Sequence, residues 1–300
     1  MYFRDFTELR DHQRKNKGNL TAAVACANDT VTLAAVRQCM DEGICGAILV
    51  GDREKIEASL AQLGAKAADF EILHEADPAE AARKTVECVK NGRAQFIAKG
   101  SVDTSVLLRA VVAHDSGLRT GRMMSHIAFL KIPNYHKLIA LTDSGMVLRP
   151  DLAQKKEIAE NAVAILSAMG YDHVKIGALA SVEKVNPKMQ ATLDAQALAE
   201  MSRDGTISGC TIEGPVSYDI LMDKRSAEKK GYTGHITGDA DVMLVPDMDA
   251  GNILGKALVC SAGAQMAGII VGAKVPVALT SRGAHVEEKY QSILLAASCV

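Results

Sequence analysis

The chain has 300 residues, of which 48% are hydrophobic and 23% are charged, so we expect a globular protein of two domains. Its net charge of −2 excludes the basic excess that nucleic-acid binding needs, and any anionic ligand must be met by a local group of lysines and arginines. No apolar run approaches the roughly 18 residues that span a bilayer, and the N-terminus lacks a signal-peptide pattern, so we expect a cytoplasmic protein without membrane contact.

Strand and helix patterns alternate through the first hundred residues. Short apolar runs predict strands at 21–26, 46–50, 70–73 and 94–98. Amphipathic segments between them predict helices that begin at polar capping residues and end at glycines. Asp77-Pro78 is the clearest helix start, because aspartate caps helices and proline is favoured in the first turn. Four such units in succession predict a parallel α/β sheet with right-handed crossovers.

The pattern resumes after the apolar segment 125–130. Strands are predicted at 138–141, 174–179 and 242–245, and helices at 151–168 and 192–201. Pro133 and the Gly121-Arg122 turn predict that the chain passes from one domain to the other between residues 120 and 129. The seven cysteines form no C-x-x-C pair and the eight histidines show no metal-ligand spacing, so we expect structural cysteines and no metal site.

A segment rich in hydroxyl and cationic side chains, Lys99-Gly-Ser-Val-Asp-Thr-Ser-Val-Leu-Leu-Arg109, follows the fourth predicted strand. In open α/β sheets, ligands bind at the carboxyl ends of the strands. Side chains and backbone amides of this segment could therefore ring an anion. The alternative is that its serine and aspartate cap the next helix and that its two cations are solvated. The candidate ligands are Lys99, Ser101, Thr104 and Arg109.

The segment 246–256 follows another predicted strand. Gly251-Asn252 permits close backbone approach and supplies an amide, and Lys256 lies four residues later on the same helical face. We expect Asn252 and Lys256 to contact substrate. Asp247 and Asp249 could ligate a metal, but two carboxylates without a third ligand are more often helix caps.

In the segment Val275-Pro-Val-Ala-Leu-Thr-Ser-Arg-Gly283, an apolar run stops in a polar turn before a predicted helix. The Ser281 hydroxyl, the Arg282 guanidinium and backbone N–H groups at a helix start suit a phosphoryl or carboxylate oxygen, although an ordinary polar turn is the alternative. Glu287 and Glu288 follow. Either could accept a proton if burial raises its pKa. The alternative is that both are solvated and that their negative charges interact favourably with the helix dipole. Adjacent helical positions diverge by about 100°, so we expect one of them to face the site.

Together these segments resemble the phosphate acetyltransferase and phosphate butyryltransferase family, and the butyryltransferase branch most. The resemblance runs from about residue 94 to residue 300. Its motifs are Lys99-Gly-Ser-Val-Asp-Thr104, Leu107-Leu-Arg109, Gly117-Leu-Arg-Thr-Gly121, Met124-Ser-His126, Leu141-Thr-Asp143, Pro150-Asp-Leu152, Val185-Asn-Pro187, Thr192-Leu-Asp194, Gly209-Cys210, Gly214-Pro215, Gly251-Asn252 and Leu279-Thr-Ser-Arg282.

The resemblance implies reversible transfer of a short acyl group between coenzyme A and inorganic phosphate, with coenzyme A as a substrate and no metal or redox cofactor. It implies two α/β domains with mainly parallel sheets around an interdomain cleft, as in isocitrate and isopropylmalate dehydrogenases. The first would comprise residues 1–124 plus 272–300 and the second residues 125–271. A homodimer or higher homo-oligomer is expected.

The resemblance also implies roles for single residues. Ser281 and Arg282 correspond to the pair at the acyl-phosphate and thiol centre, and Arg109 resembles a phosphate-site arginine. The acetyl branch has an aspartate base at the position of Glu288, whereas the butyryl branch agrees better at Glu287, so both are candidate bases. Gly283-Ala284 departs from the butyryl relatives, which tend to have Ala-Asp.

Two other functions stay open. A metal- and NAD-dependent decarboxylating dehydrogenase would have a similar fold, but it needs a cluster of aspartates and an adenosine site, and the sequence contains neither G-x-G-x-x-G nor a P-loop. The other alternative is a non-catalytic protein that binds coenzyme A or acyl phosphate. The departures from the family pattern at Gly283-Ala284 and Glu288 are consistent with it.

Overall fold

The computed structural model describes residues 1–15, 18–281 and 283–300, which form a mixed α/β fold. The helices of these residues are α1 (Phe6–Lys15), α2 (Thr30–Asp41), α3 (Arg53–Gln62), α4 (Pro78–Lys90), α5 (Thr104–Val112), α6 (Leu152–Ala168), α7 (Gln190–Arg203), α8 (Tyr218–Met222), α9 (Lys224–Lys230), α10 (Met248–Ala262) and α11 (Val286–Ala297). The strands are β1 (Thr21–Ala25), β2 (Gly46–Gly51), β3 (Glu71–His74), β4 (Phe96–Lys99), β5 (Ser125–Lys131), β6 (Ile139–Thr142), β7 (Val174–Leu179), β8 (Cys210–Val216), β9 (Val242–Leu244), β10 (Gln265–Val271) and β11 (Val277–Ala278).

The chain divides into two compact units. Unit 1 contains Met1–Asp5 and Met123–Met266, and unit 2 contains Phe6–Arg122 and Ala267–Val300. The first five residues thus group with unit 1, whereas the sequence analysis placed them with the other domain. None of the described residues forms a helix long and apolar enough to cross a membrane.

The sheet of unit 2 has the strand order β3-β2-β1-β4-β11-β10. Its neighbouring strands run parallel, except that β10 and β11 are antiparallel. Ala278 lies opposite Ala98, and Ala25 lies opposite Lys99. Because β1, β4 and β11 are parallel, the residues that follow these three strands meet at one edge of the sheet.

Helix α4 of unit 2 starts where the sequence predicts capping. Asp77 accepts hydrogen bonds from the backbone N–H groups of Ala79 and Glu80 at the start of α4, with Pro78 in its first turn. Helix α11 is buried over nine consecutive residues, Lys289–Ala297, polar ones included. It is therefore a central helix of this unit rather than an amphipathic surface helix.

The sheet of unit 1 has the strand order β5-β6-β9-β7-β8, in which only the β5–β6 pair is antiparallel. Asp151 starts α6 with a reciprocal capping box to Gln154. The ammonium of Lys155 on α6 forms a buried ion pair with Asp194 on α7, 2.6 Å apart. That pair joins two helices where neither charge is solvated.

Candidate active site

The loop after β4 is held tightly against the end of β1. The Gly100 N–H donates to the carbonyl oxygen of Ala25, and both the N–H and the hydroxyl of Ser101 donate to that of Cys26, each at 2.9 Å. A Cβ on Gly100 would lie only 2.3 Å from the Cys26 oxygen, so glycine is required by close backbone approach. The Lys99 side chain is 5% exposed, and its Nζ lies 3.5 Å from the Gly100 carbonyl oxygen.

The other two predicted ligands of this segment lie on α5. Asp103 occupies the N-cap position of α5, and Thr104 is its partly buried first residue. Ser101 bonds to Cys26 rather than capping the helix, so the capping alternative fails for this serine. Arg109 is exposed in the last turn of α5. An exposed guanidinium there is free to approach a ligand oxygen bidentately.

The turn after β11 leads into α11. Thr280 is buried and Ser281 is exposed, and the Ala284 N–H donates to the Ser281 carbonyl oxygen at 3.3 Å. The predicted strand here is reduced to Val277–Ala278. Arg282 lies outside the described residues, so its expected role stays a prediction. The exposed Ser281 lies five residues before Val286, the first residue of α11, and the N–H groups of a helix start favour anions.

The two candidate bases differ in their surroundings. Glu287 is exposed, and its carboxylate accepts a hydrogen bond from the Gln291 amide at 2.7 Å. Glu288 is partly buried, and its carboxylate has no hydrogen bond or ion pair with another described residue. Burial raises the pKa of Glu288 above its ordinary value, against the opposing charges of Lys289 and His285. Burial therefore makes the Glu288 carboxylate more basic than an ordinary glutamate, and no described residue competes for it through a hydrogen bond.

Lys289 is a residue that the sequence reasoning missed. It is 7% exposed, and its ammonium donates a long hydrogen bond of 3.4 Å to the Thr280 hydroxyl. Burial lowers the pKa of Lys289, and the nearby carboxylates of Asp29 and Glu288 oppose that shift. A signal existed in the sequence, because Lys289 lies four residues before Ile293 on the apolar stripe of the helix.

The predicted ligands of unit 1 lie on α10. The Asn252 amide donates to the carbonyl oxygen of Ser144 at 3.2 Å, so it fixes the loop after β6. A Cβ on Gly251 would lie 2.7 Å from the Asp143 carbonyl oxygen, so this glycine also permits close packing. Lys256 is exposed. Asp247 is the N-cap of α10 and accepts from the Ala250 N–H, which agrees with the capping alternative.

A histidine of β5 and a serine of the same loop form a pair that the sequence analysis did not assign to the site. Nδ1 of His126 lies 2.9 Å from the Ser144 hydroxyl. The Asp143 carboxylate accepts hydrogen bonds from the N–H groups of His126, Gly145 and Met146 at 2.8–2.9 Å. Burial lowers the pKa of His126, so its imidazole is neutral at physiological pH.

Unit 1 also contains a cavity of about 700 Å³. Val182 and Val185 form part of its apolar wall, and the Lys230 ammonium at its border lies 3.1 Å from Glu183 and 2.9 Å from Asp219. Neither at this cavity nor at any other place does a group of histidine, cysteine, aspartate or glutamate among the described residues have the arrangement to hold a metal ion. The polar groups that could act on a substrate are therefore a serine, carboxylates, lysines and arginines, which suit proton transfer and anion stabilisation.

Comparison with known proteins gives a consistent result. Residues 62–297 match a protein family described as phosphate acetyl/butaryl transferase. Over 283 residues the chain is 41% identical to a phosphate butyryltransferase of Clostridium acetobutylicum, with 94% of each chain covered. Over 292 residues it is 36% identical to a phosphate acetyltransferase of Thermotoga maritima, with 97% of this chain and 99% of the relative covered. A solved branched-chain phosphotransacylase from Enterococcus faecalis V583 superposes with a TM-score of 0.83 at 31% identity, over 93% of this chain and 98% of that one.

Proposed function

This chain belongs to the phosphate acetyl/butyryl transferase family, and from that premise we propose that it moves a short acyl group between coenzyme A and inorganic phosphate, with Glu288 as the base. The observation that carries the proposal is the partly buried carboxylate of Glu288 in the first turn of the helix that follows Ser281. Its raised pKa makes it a stronger base than an ordinary glutamate.

The proton and bond changes balance in both directions. Toward the thioester, Glu288 accepts the thiol proton, sulfur forms a bond to the acyl carbon, and the bond from that carbon to the phosphate oxygen breaks. Toward the acyl phosphate, a phosphate oxygen attacks the thioester carbon, the carbon–sulfur bond breaks, and protonated Glu288 returns its proton to the leaving thiolate. A free thiol has a pKa of about 8.5, so a base increases the reactive thiolate fraction at neutral pH.

Negative charge develops on the carbonyl oxygen and on the phosphate during this transfer. We assign its stabilisation to the exposed Ser281 hydroxyl, with Arg109 and Arg282 as phosphate ligands. Loss of one such donor typically costs about 2.7–4 kcal/mol of transition-state stabilisation. No metal or redox cofactor takes part in the proposal, so activity should survive a chelator.

We further propose that the acyl group is butyryl or of similar length, because two butyryl-named relatives are 41% identical to this chain and the acetyl-named relative of Thermotoga maritima is 36% identical. The test is thiol release from acetyl-, propionyl- and butyryl-CoA with phosphate in excess. The highest kcat/KM should belong to butyryl-CoA. Absence of turnover with all three would refute the function itself, and a preference for acetyl-CoA would refute the chain length alone.

Single replacements should separate the two glutamates. Glu288→Gln should lower the rate by about 10²–10⁴-fold at neutral pH and recover part of it as the thiol ionises near about pH 8.5. Glu287→Gln is the matched control and should keep the wild-type rate and pH profile, because its carboxylate is exposed and bonded to its own helix. Full activity of folded Glu288→Gln at neutral pH would remove Glu288 from the mechanism.

A further inference from the structure

Lys289 is a buried ammonium that the acyl-transfer mechanism above does not use. Its hydrogen bond to Thr280 is the one direct contact its ammonium makes with a described side chain, at 3.4 Å. An ammonium has three N–H donors, so two are left without a bond among the described residues. Its position in the first turn of α11 also places it at the positive end of the helix dipole. Burial without a close partner makes this charge unfavourable for stability.

A second buried lysine comes to the same edge of the sheet. Ala278 of β11 pairs with Ala98 of β4, and the strands are parallel, so Lys99 and Thr280 both lie where these neighbouring strands end. Lys99 is 5% exposed and Lys289 is 7% exposed. Two desolvated ammonium groups at one edge produce a positive potential stronger than the same charges would produce in water. Such a potential suits a ligand with two negative charges.

We propose that Lys289 belongs to the phosphate subsite of this enzyme, as a positioning residue that holds the Thr280–Ser281 turn and supplies fixed positive charge for the phosphoryl group. The inference rests on the proposed function, because inorganic phosphate is taken to be the anion. Asp29 and Glu288 are the carboxylates that act on this ammonium electrostatically, and neither forms an ion pair with it. No carboxylate of a described residue neutralises this charge by a close contact, so the charge is available to a bound anion.

The test compares Lys289→Met, Lys289→Arg and Lys155→Met. Lys289→Met keeps the length of the side chain and removes its charge, so we expect a Tm equal to or above that of the wild type without phosphate. Inorganic phosphate should raise the Tm of the wild type, and it should raise that of Lys289→Met much less, since a weaker ligand stabilises less at the same concentration. In steady-state kinetics the KM for phosphate should rise by about tenfold or more, with the KM for acyl-CoA within about twofold.

The other two variants separate a local charge effect from general damage. Lys289→Arg keeps the charge and should recover part of the phosphate affinity. Lys155 is the matched control, because it is also a buried lysine but has a close partner in Asp194. Lys155→Met should lower the Tm and leave the KM for phosphate of the folded enzyme unchanged.

The experiment distinguishes failure of the proposed phosphate subsite from failure of the proposed acyl transfer. A folded Lys289→Met with a wild-type KM for phosphate and a wild-type phosphate response refutes the subsite, whatever the turnover. A Tm loss like that of Lys155→Met with an unchanged KM also refutes it, because Lys289 would then be structural. A wild type that shows no turnover, yet responds to phosphate through Lys289, refutes the acyl transfer and supports the anion subsite.

Discussion

Replacement of Gly100 by alanine tests the close approach between the loop after β4 and the end of β1. The new Cβ would lie 2.3 Å from the Cys26 oxygen, 2.6 Å from the Ala25 oxygen and 2.8 Å from the Cys26 carbonyl carbon. All three are backbone atoms, so no side-chain rotation relieves the overlap. The loop must move by about 0.7 Å to bring the shortest contact to about 3.0 Å, and interiors this dense resist such shifts.

The free-energy cost follows from overpacking and from the bonds that the shift stretches. Overpacking typically costs about 1–3 kcal/mol. The hydrogen bonds from Gly100 to Ala25 and from Ser101 to Cys26 contribute about 0.5–1.5 kcal/mol each. With one hydrogen bond lost at each of these two residues, we therefore expect Gly100→Ala to lower the free energy of unfolding by about 2–6 kcal/mol, and the Tm by about 4–24 °C.

Thermal unfolding followed by circular dichroism measures this loss, and the KM for phosphate shows whether the displaced loop carries ligands. Gly283→Ala is the matched control, because its Cβ would meet no heavy atom within 4 Å. It should leave the Tm almost unchanged. The reasoning is refuted if Gly100→Ala unfolds at the wild-type temperature, or if Gly283→Ala is equally damaging.

Three further predictions follow from single side chains. Lys155→Met should cost about 3–5 kcal/mol in chemical denaturation, because the buried Asp194 loses its cation and keeps only the hydrogen bond from the Gln190 amide. Adding Asp194→Leu should restore most of that loss, and an undiminished loss in the double variant contradicts the ion-pair argument. Arg109→Ala should raise the KM for phosphate more than that for acyl-CoA, with only partial rescue by lysine, whereas equal effects would indicate a structural arginine. The raised pKa of Glu288 means that its ionised form costs stability above its folded pKa and that this cost disappears below its unfolded pKa, at about 4.3. Glu288→Gln should therefore raise the Tm at pH 8 and leave it unchanged near about pH 4, and parallel Tm–pH curves would contradict the burial of this carboxylate.

Capping residues and apolar runs were sufficient to predict most regular elements. Asp77-Pro78 and Asp151 start α4 and α6, because their carboxylates satisfy helix N–H groups that no intrahelical carbonyl can reach. Strand β8 contains Gly214-Pro215, which argues against a strand in sequence analysis and so concealed it. Strand β10 was also missed, although Ala267–Val271 is a continuous apolar run of the kind that fills a buried strand.

The candidate site was harder to predict than the fold. The polar segments at strand ends are visible in sequence because ligands gather there. The sequence does not show which glutamate is buried, because Glu287 and Glu288 are chemically alike and differ only in the neighbours that tertiary packing supplies. Lys289 escaped notice because lysine is almost always exposed, and only the packing of α11 on every side removes it from water.

The discontinuous construction of unit 2 has a consequence for the order in which the protein folds. Strand β4 pairs with β11, so Ala98 cannot pair until the ribosome has synthesised Ala278, 180 positions later in the chain. At about 5–20 residues per second, a ribosome needs about 9–36 s to cover that distance. Unit 1 lies almost wholly within the interval and can fold first, while β1 to β4 wait with one edge unpaired. Edges of that kind are where chains associate wrongly, so we expect the half-synthesised protein, rather than the finished enzyme, to be the form that most needs a chaperone.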